Sequence, residues 1–340
     1  MTASQFFRRS LVVVLVYVFV LPFAACAQID ELLPLDLPFS SSLEEQLVYI
    51  PTPEIPLAAY SFDNEDEANL MHRVLIPELS EHNLARGHVT VNIGNVSRGY
   101  FKIKHQTDTY ALVQVISSGG DISDFFNIGG NNDWEVFPLT RGDGVYTIQV
   151  LEHYEGRDFK VVFSYYVNVI LENQNYPFLY PNRYVNFDEN SAAVALAGRL
   201  AARATSDLEF VWLVYDYITT NVSFDLDFAR AVYAGLVLDH VPDIDATLAR
   251  GMGICFDFAI LAASMMRSQN IPTKVEIGYV LEIFHAWVAV YVPSADWGNA
   301  AHPTLAGWGL LDPTTTSANN AEGFLNPVVN VNEYSMLFLR

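Results

Sequence analysis

The sequence is poor in cysteine and in basic residues, and both shortages limit what the protein can be. Only Cys26 and Cys255 occur among 340 residues, so a framework of intrachain disulfides is excluded. Lysine and arginine total 18 against 39 aspartate and glutamate residues, which gives a formal net charge of −21. This charge disfavours nucleic acids and anionic lipid surfaces as partners. The 51% content of hydrophobic residues is ample for packed cores, and the length predicts one large domain or two.

Motifs for metals and cofactors are also missing. No metal-ligand spacing and no phosphate-binding loop is visible in the sequence. Gly251 and Gly253 lie two residues apart, but the further glycine of a dinucleotide fingerprint does not follow them. The sequence therefore predicts neither a bound metal nor a cofactor.

Residues 1–27 have the three-part layout of a secretory signal peptide. A short basic start precedes an apolar stretch from 11 to 25, which is short for a membrane span, and Ala25-Cys26-Ala27 offers small residues for cleavage. Residues 23–26 also resemble a lipoprotein box. Cleavage after Ala27 and lipidation of Cys26 both stay open, with an uncleaved anchor as a third alternative. We expect an exported protein of the cell envelope or extracellular space that meets the membrane only through this leader or its lipid.

Two segments are predicted to connect folded parts. Residues 28–86 are predicted to form a tether, which is rich in proline and serine over 28–60 and contains a short helix near 65–74. Residues 173–189 are rich in aromatic residues and proline, and they predict a connector that packs between domains.

Residues 87–172 show the sequence pattern of a β-domain. Six or seven short strand patterns are separated by turns, and Asp143-Gly144 is a hairpin signal between two of them. This pattern predicts an immunoglobulin-like β-sandwich. Because no catalytic constellation is visible there, we expect a spacer or a binding module for a partner in the cell envelope.

The remaining residues, 190–340, combine helical and strand patterns. Two amphipathic segments come first, and Ser206 or Asp207 is the predicted N-cap of the second. The run that starts at Cys255 is apolar on nearly every side, which is typical of a helix in the middle of a domain. Asn270 and Pro272 then stop it.

Cys255 is the predicted nucleophile of this domain. A buried, inert cysteine is the plainer interpretation, since most free cysteines behave as small hydrophobic residues. In the first turn of a helix, however, unpaired N–H groups and the helix dipole stabilise a thiolate. A thiolate nucleophile needs a base, and the base needs an orienting group.

His285 and Asp312 are the predicted base and orienting acid. His285 begins the strand pattern FHAWVAVYVP, and Asp312 ends the pattern GWGLLDPT. If the two strands are antiparallel and His285 faces Asp312, the turn is centred between Gly298 and Asn299, within a polar, turn-rich loop. Imidazole and carboxylate then lie within cross-strand reach. His240 and His302 are rival bases, but neither has an acidic partner placed by a strand pairing.

Taken together, these motifs resemble the transglutaminase-like superfamily over about 190–320. The shared features are a Gly-x-Cys-x-Asp helix start, a His-Ala-Trp strand and an Asp-Pro-Thr strand. The resemblance implies an α+β fold with a papain-like core, in which the Cys255 helix packs on an antiparallel sheet. It also implies a Cys255–His285–Asp312 triad and structural roles for Asp257 and Arg267. No calcium loop is evident in the sequence.

The function that this resemblance implies is that of an exported thiol acyltransferase or hydrolase. It would act on amide or peptide bonds of a protein or peptide through a thioester, with a primary amine or water as the acceptor. The alternative is a non-catalytic interaction protein of the cell envelope that binds through the fold and the β-sandwich. An intact set of cysteine, histidine and aspartate favours the enzyme.

Overall fold

A computed structural model describes residues 74–118, 123–156, 158–237, 239–298, 302, 305–315, 317 and 331–340. The predicted leader, most of the tether and nearly all of the short helix expected near 65–74 lie outside these residues. In the part of the chain that is described, no helix is long and apolar enough to cross a membrane.

Eight antiparallel strands build the first half of the described chain. They are β1 (Asn83–Arg86), β2 (Val89–Asn92), β3 (Tyr100–Gln106), β4 (Ala111–Ser117), β5 (Ser123–Ile128), β6 (Asn131–Pro138), β7 (Gly144–Glu155) and β8 (Asp158–Val169). They form two four-stranded sheets with the orders β1-β2-β3-β6 and β5-β4-β7-β8. Alternate side chains such as Val91 and Ile103 from one sheet, and Val113 and Ile148 from the other, share one buried core. The two sheets therefore form a sandwich.

The Asp143-Gly144 turn does not close a hairpin, so this detail of the prediction was wrong. The strands on either side of it, β6 and β7, belong to different sheets, and the turn carries the chain across the sandwich. A tyrosine fixes this corner, because the Tyr146 hydroxyl donates to the Gly142 carbonyl at 2.8 Å and accepts from the Arg141 N–H at 2.9 Å. Such a corner is typical of Greek-key sandwiches. A hairpin and a crossing corner use the same turn residues, and only strand pairing distinguishes them.

Five α-helices, a third four-stranded sheet and a short strand pair build the other half of the described chain. The helices are α1 (Ala192–Arg203), α2 (Asp207–Asn221), α3 (Leu226–Tyr233), α4 (Ile244–Arg250) and α5 (Cys255–Ser268). The strands are β9 (Ser223–Phe224), β10 (Met252–Gly253), β11 (Thr273–Val280), β12 (Ile283–Tyr291), β13 (Trp308–Leu311) and β14 (Tyr334–Leu339). Strands β11 to β14 form an antiparallel sheet with the order β13-β12-β11-β14, while β9 and β10 form a short parallel pair.

Helix α5 is the centre of this second half. Every residue from Asp257 to Ser268 is buried, as expected for a helix that is apolar all round. Its apolar side chains share a core with Val275 of β11 and Val288 of β12, so the helix packs on the sheet. The predicted α+β class is therefore confirmed, with a cysteine-bearing helix on an antiparallel sheet. Ser206 is the N-cap of α2, since its hydroxyl accepts from the Glu209 N–H at 3.1 Å.

Arg267 ties the end of α5 to three other segments. Its buried guanidinium donates to the carbonyls of Thr273 at 2.8 Å, Tyr180 at 3.0 Å and Arg340 at 2.8 Å. These acceptors carry no charge, and burial lowers the pKa of Arg267 to about 9. The side chain thus joins the connector, the sheet and the last described strand, which is a structural role.

A buried carboxylate links this sheet to the sandwich. Asp124 of β5 receives two hydrogen bonds from Arg141, at 3.0 and 3.1 Å, and one from the Leu339 N–H at 3.1 Å. The buried Arg340 guanidinium lies 3.5 Å from the same carboxylate, donates to the Phe125 carbonyl at 2.7 Å and sits above the Phe126 ring. Strand β14 is therefore held against β5 by an ion-pair network with little solvent exposure.

Replacing Asp124 should test this junction. Asp124→Asn leaves two guanidinium groups without their carboxylate, and breaking a buried pair of this kind costs about 3–5 kcal/mol. We expect the free energy of unfolding, measured by urea denaturation, to fall by about that amount. The matched control is Asp108→Asn at an exposed position of the sandwich, which should change it by less than about 0.5 kcal/mol. Equal effects of the two substitutions would show that the junction contributes nothing to the free energy of unfolding.

Candidate active site

Local backbone chemistry fixes Cys255 at the first position of α5. Helix α4 ends at Gly251, whose φ of +61° is the left-handed conformation that glycine tolerates. A Cβ at Gly253 would lie 2.6 Å from the Asp257 Cβ, so the two-residue strand before the cysteine also requires glycine. The Asp257 carboxylate accepts the Ile254 N–H at 2.8 Å and caps the helix from its third position. The thiol is half-buried.

His285 and Asp312 lie together beside this helix start. The imidazole of His285 is only 2% exposed, and its Nε2 lies 2.8 Å from Oδ2 of the Asp312 carboxylate, which is 5% exposed. The Cys255 thiol lies near the same imidazole and interacts with it electrostatically. Because Nε2 is taken by the carboxylate, Nδ1 is the ring nitrogen left for the sulfur.

The strand register differs by two residues from the expected one. Leu311 pairs with Val288 and Leu310 with Ala289, so a continued ladder sets Asp312 opposite Trp287 and not opposite His285. The side chains still meet because strand side chains alternate with a period of two, and a shift of two keeps both on one face. Carboxylate and imidazole are therefore diagonal neighbours across the strand pair.

The Asp312 carboxylate is fully hydrogen-bonded. Its Oδ2 accepts from His285 and from the Tyr334 hydroxyl at 3.0 Å, while its Oδ1 accepts the backbone N–H groups of Thr314 at 3.1 Å and Thr315 at 3.4 Å. Four donors match the four lone-pair sites of an ionised carboxylate. Burial and the neighbouring Asp312 raise the pKa of Tyr334, so this tyrosine remains a neutral donor. Sequence reasoning missed Tyr334, which no motif marks.

The electrostatics of the site favour a charged imidazole. Burial alone would lower the pKa of His285, but attraction to Asp312 and Cys255, together with the hydrogen bond to Asp312, outweighs it and raises the pKa to about 10. A raised value means that the imidazolium stabilises the folded state fully below the ordinary histidine value near 6.5. This contribution is lost as the pH rises through about 10. At neutral pH the site therefore presents a charged imidazole to the Cys255 thiol.

The rival histidines have acidic partners of their own. His240 Nε2 lies 2.7 Å from Oδ1 of Asp257, so the residue that caps α5 also holds this imidazole. His302 Nε2 lies 3.4 Å from Oε1 of Glu276, whose other oxygen accepts the Trp287 indole N–H at 2.8 Å. The sequence assigned no acid to either histidine, because both pairings depend on packing. An interaction with Cys255 contributes to the raised pKa of His285, which identifies His285 as the imidazole beside the thiol.

Comparison with known proteins assigns part of the chain to a superfamily. Residues 194–301 match the sequence profile of the Transglutaminase-like superfamily, and this segment includes Cys255 and His285. The chain thus contains a core domain that belongs to the transglutaminase-like superfamily. No curated protein gives a meaningful match to the chain.

Solved structures give weaker likenesses. A candidate cysteine protease from Cytophaga hutchinsonii is 15% identical with a TM-score of 0.37, covering 76% of this chain and 83% of its own. The periplasmic domain of TgpA from Pseudomonas aeruginosa, bound to ethylmercury, is 15% identical with a TM-score of 0.31, covering 70% of this chain and 76% of its own. The human collagen alpha-1(XX) fn3 domain is 17% identical with a TM-score of 0.21, covering 28% of this chain and 92% of its own. These TM-scores are low, so the assignment rests on the profile match.

The charged imidazole beside Cys255 predicts unusual thiol reactivity at acid pH. We expect Cys255 to react with iodoacetamide at pH 6 much faster than free cysteine, because a neighbouring imidazolium favours the reactive thiolate form of a cysteine. Free cysteine, with a pKa of about 8.5, is almost wholly protonated at that pH. The advantage should shrink toward pH 9, where both thiols are ionised. The measurement is the alkylation rate, followed by mass spectrometry across pH.

His285→Ala is the matched control for this measurement. It removes the imidazolium while leaving the helix start unchanged, so its alkylation rate at pH 6 should fall well below that of the native protein. Equal rates of the native protein and the variant at pH 6 would contradict a role for the imidazolium.

Proposed function

We propose that the protein is an exported thiol acyltransferase or hydrolase that acts on amide or peptide bonds of a protein or peptide. Cys255 is the nucleophile, His285 the general acid and base, and Asp312 the orienting acid. The observation that carries the proposal is the juxtaposition of the Cys255 thiol, the His285 imidazole and the Asp312 carboxylate at a helix start. The export signal in residues 1–27 supports the location.

The first half-reaction makes a thioester. The Cys255 thiolate attacks the carbonyl carbon, and the S–C bond forms as the carbonyl oxygen takes up negative charge. The backbone N–H of Cys255, in the unpaired first turn of α5, is suited to stabilise this oxygen. When the intermediate collapses, the C–N bond breaks and the His285 imidazolium gives its Nδ1 proton to the departing amine.

The second half-reaction returns the enzyme to its starting state. The neutral imidazole removes a proton from water or from a primary amine, which attacks the thioester carbonyl. The C–S bond then breaks, and the Cys255 thiolate leaves beside the imidazolium that has just formed. Water gives hydrolysis and a primary amine gives transamidation, through the same three residues.

Asp312 acts through His285 and not on the substrate. Its ionised carboxylate holds the proton on Nε2 and stabilises the imidazolium, which keeps Nδ1 directed to the thiol. Tyr334 supports this role from behind, since its hydroxyl donates to the same carboxylate oxygen.

Substitution of the three residues separates the enzyme from a binding scaffold. His285→Ala and Cys255→Ser should abolish turnover, the first by removing the base and the second because a hydroxyl does not ionise under the same imidazole. Asp312→Asn should lower turnover by about 10⁴-fold, because it favours the wrong imidazole tautomer. Turnover is measured by mass spectrometry on a library of glutamine-containing peptides, with and without a primary amine.

The scaffold alternative makes a different prediction for the same variants. If the protein only binds a partner in the envelope, all three variants keep the biological function, and only deletion of the sandwich removes it. If the His285→Ala variant retained the biological function, the enzymatic proposal would therefore be contradicted. Products that contain the amine indicate transamidation, and products with a new carboxylate indicate hydrolysis.

Tyr334→Phe tests the support behind the carboxylate. The substitution removes one hydrogen bond to a charged group, which contributes about 1.5–3 kcal/mol, and leaves the aromatic ring against Trp287. We expect kcat/KM to fall by about one order of magnitude, less than in Asp312→Asn. The matched control is Tyr279→Phe on the neighbouring strand, whose ring packs against Phe284. Equal kcat/KM values for the two tyrosine variants would show that Tyr334 does not support the site.

A further inference from the structure

A second cluster of titratable side chains lies in the β-sandwich. Nε2 of His88 and Nε2 of His105 lie 2.6 Å and 2.9 Å from the same oxygen, Oε1 of Glu152. The ligand atoms of the three residues all lie within 4.8 Å of one another. Among the residues that the structure describes, this is the group in which three metal-ligating side chains converge so closely.

The three residues come from distant parts of the sandwich. His88 lies in the turn between β1 and β2, and His105 lies on β3 of the same sheet. Glu152 lies on β7, which belongs to the other sheet. The cluster therefore bridges the two sheets. No short ligand motif marks it, because the residues are widely separated in the sequence.

The burial of the three side chains is graded. The His105 side chain is fully buried, that of Glu152 is 18% exposed and that of His88 is 49% exposed. The cluster thus has a fixed inner ligand and an outer ligand in contact with solvent.

The hydrogen-bond pattern leaves the inner imidazole free to change tautomer. With Glu152 ionised, each Nε2 carries a proton that the single oxygen accepts. His105 Nδ1 is buried and makes no hydrogen bond to any described residue. Moving the His105 proton from Nε2 to Nδ1 therefore breaks only the bond to Glu152, which a cation would replace. The proton on Nδ1 would then lack an acceptor, so we expect moderate affinity.

We propose that His88, His105 and Glu152 form a binding site for a divalent transition-metal ion of the zinc class. Two imidazoles and one carboxylate are a donor set that Zn²⁺ accepts, with a water in the fourth position on the exposed side of His88. Tetrahedral ligands at about 2.0–2.1 Å from zinc lie roughly 3.3 Å apart, so the present N–O separations need only a small outward movement. Magnesium and calcium prefer all-oxygen sites and fit poorly.

A bound ion would link the two sheets of the sandwich. An ion that binds the folded chain and not the unfolded one stabilises it by mass action. The site does not involve Cys255, His285 or Asp312, so its test is independent of the proposed acyl transfer.

Metal binding to the tag-free full chain tests the proposal. Zn²⁺ content is measured by elemental analysis after dialysis, Co²⁺ binding by visible absorption, and Tm with Zn²⁺ or Mg²⁺ present. All proteins carry Cys255→Ser, which removes the thiol as a competing ligand. We expect one Zn²⁺ per chain and a visible spectrum typical of Co²⁺ with a low coordination number. We also expect Zn²⁺, but not Mg²⁺, to raise the Tm.

Two variants and one control assign the ion to the cluster. His88→Ala at the exposed position and Glu152→Gln, which keeps the side-chain shape, should each reduce Zn²⁺ affinity at least tenfold and remove the Tm shift. His82→Ala, at another exposed position of the sandwich, should bind like the parent. Absence of stoichiometric Zn²⁺ in the folded parent would overturn the proposal. Undiminished binding in both His88→Ala and Glu152→Gln would overturn it as well.

Discussion

Attraction between the buried His285 imidazolium and the Asp312 carboxylate is the interaction on which the site depends. Burial by itself opposes charge on the ring, and the carboxylate reverses that preference. A carboxylate can do so only if it is ionised in a nearly dry position. The donors from Tyr334, Thr314 and Thr315 provide for this without a neutralising cation. The imidazolium then lies beside Cys255 at the start of α5, where the helix dipole favours negative charge.

The rest of the core serves to hold these groups in register. Strand β12 carries the histidine, and the turn after β13 carries the aspartate. Strand β14 brings Tyr334 to the same carboxylate and is itself fastened to the sandwich through Asp124 and Arg340. The connector contributes as well, since the Tyr184 hydroxyl accepts the Asn127 N–H of β5 while its ring packs on Phe256, next to Cys255. The sandwich is thus coupled physically to both sides of the site.

Local sequence was sufficient for the features that depend on neighbours along the chain. Glycines before Cys255, an acid at the third helical position and an apolar run predict a buried helix that starts at the cysteine, and α5 has this form. A period of two in the strand patterns put His285 and Asp312 on one face, and this stayed true although the register differed by two residues. The prediction held because a register shift of two residues keeps each side chain on the same face of the sheet.

Tertiary structure alone decided which distant residues meet. The hairpin expected at Asp143-Gly144 became a corner between sheets, because a turn motif does not specify the partners of its strands. Tyr334, the His240–Asp257 pair and the cluster of His88, His105 and Glu152 carry no local pattern that could have marked them. Each unites residues from separate elements, and their contacts depend on strand register and on the packing of one layer against another. The sequence by itself thus determined a cysteine helix, a histidine strand and an aspartate turn, whereas packing decided the hydrogen bonds that make them one site.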